Sequence, residues 1–470
     1  MSNNCQVQTP DKYVEKLLDY VGYNKNLYGK KVLENSCGKG NILSRIVERY
    51  ISDLRKNGLT DFEIVNGIER DIVAYEKDKK SVEECVAKLE MIRENQKLQK
   101  INWNIYVEDY LANHQQFYDF IIGNPPYITY HDLKINERIW LQENFDSCKN
   151  GRCDYYYAFV EKSIKSLSEN GKLAYLIPFS VFRNKSAEVA RTIIKDSIDE
   201  IYDFTGESLF PGVTISSVII ICDNKKKSTS IKYQSKNGSI LVNKNKLKSK
   251  WYFVNEREAD KRFGDYFHVC NGVATLYNEA FLVTKYKQDE YYVYVGEKKI
   301  EKDILLPAVS TKTLKREKKT RKEEKIIFPY KIHKSGYEKY TEKEFREKFP
   351  ETLKYLETYK KKLLERKSDS KVSWFEYGRT QALNEIRGEK LILPMVITSS
   401  VKAYKVKSMA VPYAGYFVKK VKNGKYSLSV AKKILESDDF YDYVKNHGTP
   451  TTATSYRISV KDIENYKFEV

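Results

Sequence analysis

The sequence predicts an α/β protein with a doubly wound, mostly parallel, Rossmann-like sheet, followed by a basic α+β domain. Three observations predict this. Strand-like and helix-like segments alternate through the first half of the chain, the pattern of a parallel sheet covered by helices. The texture changes after Asp223 to a polar, Lys-rich stretch. The positive charge also lies beyond that point: residues 1–220 hold 29 basic against 32 acidic side chains, whereas residues 221–470 hold 54 against 32.

Taken in order, Asp11–Val21 has apolar residues at helical spacing. Lys31–Glu34 reads as a short strand and Asn41–Asp53 as a helix. Phe62–Ile68 is expected to be the second strand, followed by a long helix from Ile72 towards Glu94. Trp103–Val107 and Tyr118–Gly123 are short apolar strands, Tyr155–Leu167 a helix, Lys172–Pro178 a strand and Ala187–Ile198 a helix. Ile215–Cys222 is the β-branched run of a strand buried on both faces. Lys225–Lys250 reads as a connection, which divides the chain into domains 1–225 and 226–470. The second domain is predicted to hold a helix over Glu351–Arg366. The basic run Lys312–Lys325 suits either a nucleic-acid-facing loop or a merely solvated one.

A length of 470 residues suits two cores, and a hydrophobic fraction of 41% is enough to fill them. No apolar stretch is long enough to span a bilayer, and Met1–Pro10 lacks the basic start and apolar centre of a signal peptide. The seven cysteines are scattered, so all of them, including the close pair Cys148 and Cys153, are expected to be free thiols in a reducing cytoplasm. No second pair or nearby His completes a zinc site. A net charge of +22 on the second half attracts a polyanion through counterion release, and nucleic acid is the commonest such partner. Codon bias towards Lys is the alternative, but it would enrich both halves alike.

Ligands of doubly wound sheets bind beyond the carboxyl ends of the strands, and four sequence features fall there. The first is Glu34-Asn-Ser-Cys37-Gly38-Lys39-Gly40, an acidic strand end and a glycine turn before a helix. Glycines let a ligand approach the backbone, and Glu34 suits a ligand with a positive charge. The second is Glu69, which would close the second strand and accept bonds from ribose hydroxyls; otherwise it is a surface acid. The third is Asp109-Tyr110, able to accept an adenine amino hydrogen and pack on the ring, or else a helix cap. The fourth and strongest is Asn124-Pro125-Pro126-Tyr127, directly after an apolar strand. Its prolines fix φ and remove two backbone donors, leaving carbonyls free to accept. An aromatic amine offers two N–H donors and a delocalised lone pair. Asn124 Oδ1 and the Pro125 carbonyl could each accept one hydrogen and aim that lone pair, while Tyr127 supplies a π-face.

In this order the motifs resemble those of the gamma-class N6-adenine DNA methyltransferases, the TaqI-like and Eco57I-like enzymes of bacterial restriction–modification systems. Glu34–Gly40 is similar to the family's Asp-Pro-Ala-Cys-Gly-Ser-Gly loop, 124–127 is identical to its catalytic tetrapeptide, and Thr9-Pro10 stands ahead of both as the gamma order requires. Asp154–Tyr157 and Gly171–Pro178 resemble the next helix and strand, and Val269–Thr275, Phe281–Val283, Trp374–Arg379 and Glu389–Pro394 resemble parts of the family's target-recognition domain. The resemblance implies S-adenosylmethionine as methyl donor, bound by Thr9, Glu34, Cys37, Gly38, Gly40, Glu69, Asp109 and Asn124. It implies catalysis at 124–127 and an adenine rotated out of double-stranded DNA, stacked between Tyr127 and Phe210. It also implies a monomer without a membrane partner, bacterial cytoplasmic and nucleoid-associated; a cognate restriction endonuclease in the same system, not required for binding, and an orphan enzyme both stay open. Lys39 departs from the family loop. Methyltransferases of protein glutamine or RNA share the tetrapeptide but generally lack a large basic second domain. Cytosine N4 methylation stays open. A degenerate, non-enzymatic fold is disfavoured by the intact motif residues, and because the motifs begin so near Met1 no upstream nuclease is expected.

Overall fold

Strands that read as continuous apolar runs are those covered on both faces, and the sheet of the first half shows why. The structure is a computed structural model that describes residues 8–207, 216–254, 259–315, 323–333, 336–407, 409–422, 424–452 and 454–469. It divides into two compact units, Met1–Asn255 with Thr449–Ser455, and Glu256–Gly448 with Tyr456–Val470.

The first unit is built on nine strands: β1 Val32–Glu34, β2 Ile72–Glu76, β3 Asn104–Val107, β4 Tyr118–Gly123, β5 Leu167–Pro178, β6 Ile198–Asp203, β7 Ser217–Asp223, β8 Ser230–Ser235 and β9 Gly238–Asn243. Their order is β3-β2-β1-β4-β5-β7-β6-β8-β9. The first five are mutually parallel, β7 runs antiparallel between β5 and β6, and the β8–β9 hairpin extends the edge. The helices are α1 Asp11–Val21, α2 Asn41–Lys56, α3 Asp61–Asp71, α4 Lys79–Asn95, α5 Ile135–Asn144, α6 Asp146–Lys149, α7 Tyr156–Lys165 and α8 Glu188–Ile194. Successive strand residues serve opposite faces. In β5, Leu173, Tyr175 and Ile177 join one core with Phe159 of α7 and Ile194 of α8. Ala174 and Leu176 join the other, with Leu17 of α1, Ile46 of α2 and Ile68 of α3.

Several expectations are corrected. Phe62–Ile68 is not a strand but part of α3. Thr60 and Glu63 form a reciprocal capping box, with Thr60 Oγ1 accepting from the Glu63 amide at 3.3 Å and Glu63 Oε2 from the Thr60 amide at 2.8 Å. Ile64, Val65 and Ile68 are buried while Phe62 is 64% exposed, the one-sided burial of a helix. Ile72 begins β2 rather than a helix, pairing in parallel with Val32 of β1. The segment to Ile198 is not all helix, since α8 stops at Ile194 and β6 follows. Cys148 and Cys153 are not free thiols. The turn after α6 brings their Cα atoms to 4.9 Å and they are joined as a disulfide, while Cys37, Cys85, Cys222 and Cys270 are free and buried. The division falls at 255/256 rather than 225/226, because β8 and β9 extend the first sheet.

The second unit mixes small sheets and helices. One four-stranded sheet comprises Phe267–Asn271, Tyr416–Lys420, Lys390–Leu393 and Tyr404–Val406; another comprises Leu282–Val283, Glu324–Ile327, Leu305–Val309 and Val411–Pro412. The helix expected over Glu351–Arg366 is two short ones, Pro350–Glu357 and Lys360–Leu364. The centre of the basic run at Lys312–Lys325, residues 316–322, lies outside the described residues. No described helix is long and apolar enough to cross a membrane.

Candidate active site

Strands β1 and β4 are neighbours, yet the chain leaves β1 towards β2 and β3 and leaves β4 towards β5. This reversal opens a crevice at their carboxyl ends. A cavity of about 390 Å³ occupies it, lined among others by Thr9, Glu34, Gly38, Glu76, Asp109 and Asn124.

Thr9 precedes α1 and is buried. Its carbonyl accepts a bond from Asn41 Nδ2 at 3.3 Å, and its Oγ1 accepts from Asn124 Nδ2 at 3.1 Å. The second bond orients the Asn124 amide. Its Nδ2 is committed to Thr9, and its Oδ1 is buried with no partner. Ser36 Oγ donates to the Asn124 carbonyl at 3.2 Å, tying the loop after β4 to the loop after β1. Pro125, Pro126 and Tyr127 complete this wall, and the Tyr127 hydroxyl donates to the Leu176 carbonyl at 2.9 Å, which fixes the ring.

Glu34 ends β1 at 1% exposure, and its Oε2 also lacks a partner. Burial pushes its carboxyl well above the usual range, Cys85 and Glu76 add to the rise, and a Leu43 backbone bond and Lys88 oppose it. Gly38 faces the cavity with φ +50°, and a Cβ there would meet nothing within 4 Å. Gly40, at φ +79°, is not part of the lining. A Cβ at Gly40 would fall 2.5 Å from Cys85 Sγ, so this glycine lets α4 approach the turn. The Cys37 thiol lines the cavity and is held well above its ordinary value by a bond with Cys85 and by burial, which keeps it protonated. Lys39 pairs with Glu84 of α4 at 2.8 Å, which balances its charge.

Glu69 is not brought to the cavity. It lies within α3, where its Oε1 accepts from the amide and side chain of Asn102 at 2.7 and 3.0 Å. The acid at the end of the true second strand is Glu76, whose Oε2 accepts from the Gly38 amide at 3.0 Å. Sequence reasoning missed it, although Thr60-x-x-Glu63 signals a helix start and Ile72-Val73 a strand. Asp109 is at the cavity and is also a cap: Oδ1 accepts from the Leu111 amide at 3.0 Å, while Oδ2 meets Lys77 Nζ at 2.7 Å and the Tyr155 hydroxyl at 3.2 Å. Lys162, pushed down to about 8 by burial, donates to the carbonyls of Tyr110, Leu111 and Asn113 and anchors this loop. Phe210 lies outside the described residues.

The site is thus a strand-end cavity at the switch point whose lining includes a Pro-Pro loop and three residues with a buried unpaired acceptor, Glu34 Oε2, Asn35 Oδ1 and Asn124 Oδ1. Residues 24–210 match the family model described as Eco57I restriction-modification methylase, and the chain carries an Eco57I-like restriction–modification methylase domain. Among particular relatives, the type II methyltransferase M.AccI of Acinetobacter calcoaceticus is 25% identical over 339 residues, 65% of this chain and 56% of that protein. The type II methyltransferase M.HincII of Haemophilus influenzae is 29% identical over 218 residues, 46% of this chain and 36% of that one. The chain thus spans just over half the length of the first and about a third of the second. In structure, it matches the type IIL restriction-modification enzyme MmeI, solved in complex with DNA, with a TM-score of 0.60 at 13% identity over 97% of this chain and 64% of that one, a likeness of fold.

Proposed function

We propose that the chain is a DNA methyltransferase of restriction–modification type that transfers a methyl group from S-adenosylmethionine to N6 of adenine. The observation that carries this reading is the oriented amide of Asn124, whose buried Oδ1 is left without a partner while Thr9 holds its Nδ2. A buried acceptor without a partner costs about 1–3 kcal/mol, so a donor that fills it is favoured. An exocyclic amine has two such hydrogens.

The residues fit the cofactor. Glu34 Oε2, buried and unpaired, suits an ammonium group, and Gly38 leaves room at the wall. Glu76 takes the ribose role expected of Glu69, Asp109 suits an adenine amino group, and Tyr110 suits the ring. S-adenosylmethionine supplies, when bound, an electrophilic methyl group. Asn124 Oδ1 and the Pro125 carbonyl accept the two amine hydrogens and hold the nitrogen with its lone pair directed into the cavity. Tyr127, fixed through Leu176, carries the face of the base, and Phe210 supplies the opposite aromatic. Positioning of this kind can account for much of the rate. No general base precedes attack, because the cationic product releases its proton readily.

The +22 charge beyond residue 220 favours DNA as the polyanion. We assign target recognition to the second domain, whose Lys and Arg side chains would hold phosphates while others read base edges. Rotating the adenine out of the duplex costs about a few kcal/mol. A monomer acting beside a cognate endonuclease in the bacterial cytoplasm completes the reading. The test is transfer of labelled methyl groups to unmethylated DNA, with nucleosides identified by mass spectrometry. N6-methyladenine is expected from the wild type and about 10²–10³-fold more slowly from Asn124→Ala, with cofactor affinity retained. N4-methylcytosine as the product, or full activity in Asn124→Ala, would overturn it.

A further inference from the structure

Thr449–Ser455 is far along the chain, yet it belongs to the first unit. Thr449–Pro450 packs on the helical turn Phe179–Phe182 that follows β5. There Pro450 and Thr451 form one wall of a second cavity, of about 210 Å³, whose other walls include Tyr127, Asp154, Tyr156 and Ser180. Tyr127 and Ile128 line both cavities, so the second cavity adjoins the first at the end of the Asn-Pro-Pro-Tyr loop.

We infer that Pro450 and Thr451 are part of the substrate site, forming a wall that holds the target nucleobase beside Tyr127. The inference rests on the methyl-transfer reading above and goes beyond it, because it places substrate contacts on a segment that neither the catalytic motifs nor the matched range 24–210 contains. The chemistry of the walls suits a planar heterocycle. Tyr127, Tyr156, Pro178 and Pro450 offer ring faces, and Ser180 and Thr451 offer hydroxyls. Asp154 adds a carboxyl that accepts from the Tyr130 amide at 3.1 Å and has further acceptor capacity for an N–H group of the base.

Thr451 is also held by bonds within the chain. The Thr451 amide and hydroxyl donate to the Ser455 carbonyl at 2.8 and 3.2 Å, closing a tight turn. A hydroxyl that spends its hydrogen locally keeps its lone pairs for an incoming N–H group. A wall fixed in this way spares the ordering cost that a mobile tail would impose on binding. Thr451 is exposed, so its replacement disturbs no core packing.

The experiment compares full-length wild type, Thr451→Val, Thr451→Ser and Pro450→Ala. It uses PCR-amplified, hence unmethylated, bacterial genomic DNA and labelled S-adenosylmethionine, with cofactor affinity measured by calorimetry. Thr451→Val is expected to raise the KM for DNA about tenfold, the loss of one hydrogen bond to a fixed partner, with cofactor affinity within about twofold of wild type. Thr451→Ser restores wild-type KM, and Pro450→Ala raises it to a smaller extent. Wild-type kcat and KM in both Thr451→Val and Pro450→Ala would overturn the inference alone. So would a loss that Thr451→Ser fails to restore or that cofactor affinity shares, because either marks a merely structural effect. A wild type that binds cofactor but methylates no DNA would overturn the function reading and this inference together.

Discussion

Replacing Thr9 by Val keeps the shape of a buried side chain and removes one oxygen, the acceptor that takes the Asn124 Nδ2 hydrogen at 3.1 Å. A hydrogen bond of this kind is worth about 1 ± 0.5 kcal/mol net, and a buried amine left unpaired costs about 1–3 kcal/mol. Rotating the Asn124 amide relieves that cost but swings Oδ1 away from the position where it would meet the substrate amine. The productive orientation is then disfavoured by about 1–1.4 kcal/mol, a loss of roughly five- to tenfold in the rate of the chemical step. Complete loss of such an oriented group costs about 10²–10³-fold, so the Thr9→Val defect should lie between wild type and Asn124→Ala. The assay is single-turnover methyl transfer by rapid quench, with enzyme and cofactor saturating, so that cofactor affinity does not enter the rate. Thr9→Ser keeps the oxygen and should stay close to wild type. A Thr9→Val enzyme with the wild-type single-turnover rate would refute the argument that this bond orients Asn124.

Glu76→Gln should weaken cofactor binding about tenfold or more, the range for a bond to a charged acceptor, whereas Glu69→Gln should leave it unchanged; calorimetric titration of S-adenosylmethionine distinguishes the two, and a loss confined to Glu69→Gln would return the ribose role to Glu69. The raised carboxyl of Glu34 gives a signed pH dependence. Its folded-state value exceeds the unfolded one, so its contribution to stability is fully present below about 4.5 and is lost as pH rises through the folded-state value. Glu34→Gln, neutral throughout, should remove that slope from thermal melts of the cofactor-free protein. It should also abolish the gain in cofactor affinity with pH that ionisation of Glu34 gives the wild type, and parallel pH profiles for the two proteins would show that Glu34 does not meet the cofactor.

Much of the site was legible because its parts are short and contiguous. Glu34–Gly40 and Asn124–Tyr127 each need a strand end and a particular backbone turn, and local sequence specifies both. The disulfide between Cys148 and Cys153 and the return of Thr449–Ser455 depend on the path of the chain through space, which residue patterns do not carry. The acid beside Glu34 is the instructive case. Glu69 and Glu76 each follow an apolar, β-rich run, and an apolar run of five to seven residues fits a strand or one face of a helix equally well. What separates them is the reciprocal cap at Thr60 and Glu63, which commits Asp61–Asp71 to a helix and moves the strand to Ile72–Glu76. The parallel register Glu34 to Ala74 then carries Glu76 to the carboxyl edge, where it meets the Gly38 amide. The same carboxylate chemistry seven residues earlier caps a neighbouring loop through Asn102 instead. In a doubly wound sheet the position of a strand end decides which acid can serve a ligand, so an error in one element boundary becomes an error in the site.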